Sequence, residues 1–136
     1  MESDIAEVFT FLDNHGSAVV INSSVNMRFA NGVMASVVVG GNCASAGVDL
    51  HFMLEQGRID IDGWEGKWVN VWRGDEQVKY PVIEGAPQTP NDNFIDATLG
   101  RAEPRTSIKN GIVQSELMDA IYKSARTGLP AKPVSR

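Results

Sequence analysis

Asn93-Phe-Ile-Asp-Ala-Thr-Leu-Gly-Arg-Ala-Glu-Pro-Arg105, then Thr106-Ser-Ile-Lys-Asn-Gly111, Ile112 to Arg126 and Gly128-Leu-Pro130, is the stretch of this 136-residue chain that reads as helix. Asn91 or Asp92 can cap a short first helix that carries Phe94, Ala97 and Thr98 on one face, and Gly100 ends it. Pro104 marks an extended crossover. Ser107 is the N-cap of a longer helix in which Val113, Leu117, Ala120, Ile121 and Ser124 recur at helical spacing. Gly128 and Pro130 stop it, and Arg126 suits the negative end of the macrodipole.

Everything before this stretch reads as β-structure. Residues 6–12 are aromatic and β-branched, and Asp13-Asn-His-Gly16 is a turn. Residues 19–29 alternate, with Ile21, Ser23, Val25, Met27 and Phe29 on one side and Asn22, Ser24, Asn26 and Arg28 on the other. Asn31-Gly32 predicts a two-residue type I′ hairpin, since both positions tolerate positive φ. That turn pairs Phe29 with Met34, Met27 with Ser36 and Val25 with Val38 on an apolar face. It pairs Arg28 with Ala35, Asn26 with Val37 and Ser24 with Val39 on a mixed one, which can be wet, meet another subunit or line a ligand cleft.

Gly40 to Gly47 reads as a bend. Strands follow at 48–54, 58–62, 67–72 and 77–83, joined at Glu55-Gln-Gly57 and Arg73-Gly-Asp-Glu76, with Pro81 putting the last at an edge. Residues 84–92 are the one extended irregular segment. The predicted fold is α+β: one domain over 1–136, a mostly antiparallel open sheet of about seven strands, and two C-terminal helices packed on one face.

Composition narrows the function classes. The net charge is −5 without a basic run, which argues against nucleic acid and against anionic membranes. Cys43 is the single cysteine, so no internal disulfide forms, and no apolar run is long enough to span a bilayer. With no recognisable signal sequence, a cytoplasmic location is expected.

Asn93-Phe-Ile-Asp96, Glu103-Pro-Arg105, Asn110-Gly111 and Leu117-Met-Asp-Ala-Ile-Tyr-Lys-Ser-Ala-Arg126 resemble the carboxy-terminal end of the Gfo/Idh/MocA family of NAD(P)-dependent sugar and cyclitol oxidoreductases. Arg28-Phe-Ala-Asn-Gly32 and Glu55-Gln-Gly-Arg-Ile59 resemble that family's hairpin and its turn into the next strand, so the resemblance runs along nearly the whole chain. It implies a C-terminal α/β domain that walls a substrate cleft on one side and dimerises through its open sheet face, with NAD or NADP bound only by a Rossmann domain.

That nucleotide-binding half would need a strand, a Gly-x-Gly-x-x-Gly turn and a helix. Val37 to Gly47 has a strand and glycines but leads into another strand, so it reads as a bend. The family's Glu-Lys-Pro and Asp-x-x-x-His motifs are also missing, so no catalytic, cofactor or metal residue is assigned. The chain is expected to be either part of a longer enzyme or a truncated paralogue that joins a separate Rossmann subunit. The substrate-cleft candidates are Asn26, Arg28, Asn42 and His51. His51 lacks a second ligand for a metal, and Asp60 and Asp62 read as alternating strand acids. A free-standing small-ligand module on the sheet is the competing reading; it needs polar groups converging on one face.

Overall fold

The computed structural model describes residues 3–44, 47–63, 66–79 and 89–134. Its elements are β1 (Ile5–Asp13), β2 (Asn22–Phe29), β3 (Met34–Gly40), β4 (Asp49–Leu54), β5 (Gly57–Asp62), β6 (Val69–Arg73), β7 (Glu76–Val78), α1 (Pro90–Thr98) and α2 (Ile108–Thr127). Seven antiparallel strands precede two C-terminal helices, as the sequence predicts. The strands are hydrogen-bonded as two sheets, β1-β2-β3 and β4-β5-β6-β7. The chain divides into two compact units, one of residues 1–42 and 88–136, the other of residues 43–87. Residues 80–83 of the expected last strand, and 84–88 of the segment that follows, lie outside the described residues, as do 45–46 in the Gly40–Gly47 bend.

In the first unit α2 packs on β1. Val8, Val25, Ala120, Ile121 and Ala131 are buried together, with Ile5, Leu12, Met27 and Leu117 around them. Val8 exchanges both backbone hydrogen bonds with Ala131, so the chain's final segment closes the outer edge of β1. The expected face of α2 is partly buried at Leu117 and buried at Ala120, Ile121 and Ser124. Val113 is 58% exposed, so the first turns of the helix run beyond the sheet they were expected to cover.

Both helices are capped by their sequences. Ser107 is the N-cap of α2, its N–H donating to Asn110 Oδ1 at 3.0 Å, and Gly128 ends the helix at φ +67°. The N-cap of α1 is Thr89 rather than Asn91 or Asp92. Thr89-Pro90-Asn91-Asp92 is a capping box with proline at the first helical position: the Asp92 N–H donates to Thr89 Oγ1 at 3.2 Å and the Thr89 N–H to Asp92 Oδ2 at 2.9 Å.

The β2–β3 register departs from the expected one by a single residue. Val25 lies opposite Val37, Met27 opposite Ala35, Asn26 opposite Ser36 and Arg28 opposite Met34. The Gly32 N–H donates to Phe29 O at 2.9 Å and the Phe29 N–H to Val33 O at 2.8 Å. Of the two turn residues only Gly32 has positive φ, at +86°. This is the three-residue hairpin with a glycine bulge rather than type I′, and the Asn31 side chain supports it by accepting the Val33 N–H at 3.2 Å. One extra loop residue turns every β3 side chain to the opposite face. Met34, Ser36 and Val38 therefore join Asn26 and Arg28, while Ala35, Val37 and Val39 join Val25 on the side of α2.

Candidate functional site

The face of β1-β2-β3 turned away from α2 carries Glu7, Phe9 and Phe11 on β1, Ser24, Asn26 and Arg28 on β2, and Met34, Ser36 and Val38 on β3. Arg28 pairs with Glu7 at 2.5 Å, and Ser36 donates to Asn26 Oδ1 at 2.7 Å. Phe9 and Phe11 meet edge to face. Val38 is 78% exposed, and Met34 and Phe11 are also open. A shallow pocket of about 400 Å³ gathers Phe9, Asn26, Arg28, Met34 and Ser36. Two of the four candidates, Asn26 and Arg28, thus share one site. Asn42 is exposed beyond β3 and makes no side-chain hydrogen bond among the described residues.

His51 belongs to the other unit, and here the structure adds partners. The two-residue turn between Leu54 and Gly57 sets His51 opposite Asp60 and Met53 opposite Arg58. On the next strand Asn70 lies opposite Asp60 and Trp72 opposite Arg58. One face of this sheet is therefore mostly polar, with Asp49, His51, Arg58, Asp60, Asp62 and Asn70 around Trp72, and Met53 exposed at its edge beside Arg58. The other face is apolar, built from Leu50, Phe52, Leu54, Ile59, Ile61, Val69 and Val71.

Asp60 is the centre of the polar face and is only 9% exposed. Its Oδ1 lies 2.8 Å from His51 Nδ1, and its Oδ2 accepts from Arg58 Nε at 2.8 Å. The Arg58 guanidinium rests 5.4 Å from the Trp72 ring centroid, a cation–π contact. The hydrogen bond from His51, followed by that from Arg58, holds the Asp60 carboxyl below the usual carboxylate range against the opposing effect of burial. An ionised Asp60 fixes His51 with Nδ1 protonated and leaves Nε2 as an exposed hydrogen-bonding position. The Nη groups of Arg58 remain as further donors. Such a face can orient a polar ligand. No group of three or more His, Cys, Asp and Glu is arranged to hold a metal among the described residues.

The sign of the pH dependence follows. Asp60 holds its proton less tightly folded than unfolded, so its contribution to stability is present above the unfolded value, about 3.9, and is lost as pH falls through the lower folded value. All three tryptophans lie in residues 43–87, so tryptophan fluorescence during an acid titration reports this unit. Asp60→Asn is expected to lower its stability at neutral pH and to flatten the acid limb. An acid limb identical to that of the unsubstituted protein would show that Asp60 does not act this way.

A third feature has no signature in residue spacing. Asn93 is the one buried residue of α1. Its Nδ2 donates to Glu103 O at 3.2 Å, and its Oδ1 accepts the Arg105 N–H at 2.9 Å. The side-chain amide thereby fastens the crossover to the helix and shapes a groove of about 980 Å³ whose lining includes Phe94, Glu103, Pro104, Arg105, Ile108 and Lys109. Asn93→Ala should destabilise this region by about 1–2 kcal/mol, because two hydrogen bonds are lost where water can partly replace them. Faster hydrogen exchange at the Arg105 amide is the local readout.

No family model and no curated protein matches this sequence. Solved structures do. The WlbA dehydrogenase from Bordetella pertussis, solved with NADH and UDP-GlcNAcA, is 22% identical at a TM-score of 0.75, over 98% of this chain and 41% of its own. The aldose-aldose oxidoreductase from Caulobacter crescentus gives 18% and 0.80, over 96% of this chain and 42% of its own. An NAD-binding oxidoreductase from Klebsiella pneumoniae gives 13% and 0.78, over 98% and 46%. The fold is that of one domain of Gfo/Idh/MocA-type oxidoreductases. The resemblance to the C-terminal domain of the Gfo/Idh/MocA family therefore holds for the fold. The chain spans less than half of each of these three structures.

Proposed function

We propose that residues 1–136 form the C-terminal, substrate-side and oligomerisation domain of a Gfo/Idh/MocA-like sugar or cyclitol oxidoreductase, inactive without a nucleotide-binding domain. The observation that carries this reading is the asymmetry of the match: nearly all of this chain against about two-fifths of WlbA, a dehydrogenase solved with NADH. The nucleotide-binding domain would be supplied in the same polypeptide or by a separate Rossmann subunit. In this reading the protein works in the cytoplasm; no helix among the described residues is long and apolar enough to cross a membrane.

The open face of β1-β2-β3 would serve a homodimer, with Phe11, Met34 and Val38 as its apolar contacts. Asn26 and Arg28 lie on that face and so would belong to the dimer contact. His51, with Asp60 and Arg58 behind it, is then the substrate-side candidate of residues 43–87, and the exposed Asn42 that of the other unit.

Two measurements test the reading. NADH fluorescence titration of the chain alone should show no binding, and micromolar binding would overturn the division of labour. Light scattering should show a dimer, and Val38→Glu should weaken it roughly tenfold or more, as loss of a central contact does. A strict monomer at micromolar concentration would remove the dimer from the proposal.

A free-standing ligand-binding module is the second reading, favoured by the His51–Asp60–Arg58 cluster on a single face. A metabolite that co-purifies with the chain, and is lost in Asp60→Asn, would support it.

A further inference from the structure

The two edges of β1-β2-β3 are finished differently. On β1 the outer edge is closed: Val8 exchanges both backbone bonds with Ala131, and the Thr10 N–H donates to Ser124 Oγ at 3.1 Å. β3 is the other edge strand. The Phe29 N–H donates to Val33 O and the Gly41 N–H to Ile21 O, and β2 and β3 pair without a register shift between these points. Backbone groups alternate in direction along a strand, so Ala35, Val37 and Val39 also turn theirs toward β2. Met34, Ser36, Val38 and Gly40 turn theirs outward, and among the described residues nothing bonds them. Sheet edges are ordinarily blunted by a charge, a proline or a bulge. Met34-Ala-Ser-Val-Val-Val-Gly40 has none of these, and no Asp, Glu, Lys or Arg occurs between Arg28 and Asp49 in a chain that is 21% charged. Val37 and Val39 are 44% and 52% exposed although they lie on the side of α2. A strand of this composition, open along its edge, is a template for another strand.

We propose that β3 pairs with β3 of a second copy, antiparallel about a two-fold axis at Val37, so that the two sheets become one continuous sheet. Self-complementarity selects this occupant. An axis at Val37 sets Ser36 opposite the second copy's Val38, Ala35 opposite its Val39 and Met34 opposite its Gly40. Ser36, Val38, Met34 and Gly40 are the residues with outward backbone groups, so each of these pairs exchanges both of its bonds and β3 is engaged along its whole length. An axis between two residues would instead set an outward group against an inward one. The side chains keep their faces: Ser36 and Val38 meet on the open face, and Ala35, Val37 and Val39 meet their counterparts on the side of α2, as β-branched pairs that stabilise sheets. With no charge on the strand, a second copy brings no like charge against it, and a foreign strand finds no ionic feature here to recognise. The contact differs from the open-face dimer, in which side chains rather than backbone groups meet, and it stands without the oxidoreductase reading.

The full chain serves for the test. With Cys43 replaced by Ser, Val37→Cys should form an intermolecular disulfide under mild oxidation. Residues facing each other at a non-hydrogen-bonded antiparallel site have Cα atoms about 4.5 Å apart, within disulfide reach. Ser36→Cys in the same background should not cross-link, because its counterpart is Val38. Amide exchange followed by NMR supplies the alternation: the Ser36 and Val38 amides should be protected at high protein concentration and lose protection on dilution, while those of Val37 and Val39 stay protected throughout. Ser36→Pro removes an outward N–H that β2 does not use, which an edge strand tolerates. It should weaken dimerisation roughly tenfold or more, whereas Ser36→Ala, which loses the same hydroxyl and keeps the N–H, should not. A dimer unaffected by Ser36→Pro, with fast exchange at Ser36 and Val38, is held by the open face; that result overturns the edge pairing and leaves the functional reading standing. A strict monomer at micromolar concentration overturns both contacts. Where Ser36→Pro does not fold, the cross-link at position 37 and the exchange pattern decide alone, and the absence of both overturns the proposal.

Discussion

Gly57→Val is expected to destabilise the β4–β7 unit by about 3 kcal/mol or more, a loss set by backbone sterics rather than by lost contacts. A Cβ at position 57 would lie 1.9 Å from the Trp72 carbonyl oxygen, 2.9 Å from its carbon and 3.2 Å from Arg73 Cα. All three are backbone atoms of β6, so no rotamer change relieves the overlap. The strands must part, or the pairing of Gly57 with Leu54 on one side and Arg73 on the other must slip. A slip of one residue would also separate His51 from Asp60 and Arg58 from Trp72. Tryptophan fluorescence during denaturation isolates the effect, because every tryptophan lies in this unit. Gly32→Ala is the control for a different mechanism. Position 32 has φ +86° with open space around it, so a side chain there costs only the strain of the left-handed backbone, about 1–2 kcal/mol. Gly63→Ala should also be milder than Gly57→Val, because the nearest atom it meets is a methyl of the Val48 side chain. Equal midpoints for Gly57→Val and the unsubstituted protein would show that β5 and β6 do not approach as closely as the structure has them.

The same two hairpins show what the sequence could and could not disclose. Alternation along β2 and β5 assigned their faces correctly, since a period of two is independent of the partner strand. Register depends on the loop. Asn31-Gly32 serves both a two-residue turn, in which both residues take positive φ, and a three-residue loop, in which only the glycine does. Those alternatives differ by one residue and invert β3. For β4 and β5 the signal was present. A two-residue turn at Glu55–Gln56 places His51 opposite Asp60 by counting alone, whereas alternation within β5 by itself shows Asp60 only as an ordinary strand acid. Asn93 left no such trace. Its partners are backbone groups of a non-periodic crossover, and a buried asparagine on a helix has no spacing that separates it from a solvated one. The overhang of α2 was hidden for a related reason: apolar spacing at Val113 marks a face that needs a cover, without saying whether this sheet supplies it.

Ser124→Leu is the second large effect, expected to cost the first unit about 3 kcal/mol, with Ser124→Ala costing about 1–2 kcal/mol. Ser124 is fully buried on α2, and its Oγ accepts the Thr10 N–H of β1 at 3.1 Å. That amide points away from β2, on the same edge as Val8, whose reciprocal bonds to Ala131 close the edge two residues earlier. The helix hydroxyl thus continues the closure that the final segment begins. Thr10 Oγ1 is itself buried without a hydrogen-bond partner among the described residues, so Ser124 Oγ is the contact that ties this buried, polar residue to α2. Alanine deletes the acceptor and strands one buried donor. Leucine does the same and adds bulk between β1 and a core of Val8, Ala120 and Ile121 that has no room for it. The two variants therefore separate the hydrogen bond from the packing. Helical circular dichroism should melt earlier in both, in the order leucine before alanine, while tryptophan fluorescence from the other unit tests whether the two units unfold together. A leucine variant as stable as the serine protein would mean that α2 can shift along β1 without penalty, and the helix–strand joint would then have to rest on Ile121 and the Ala131 bridge alone.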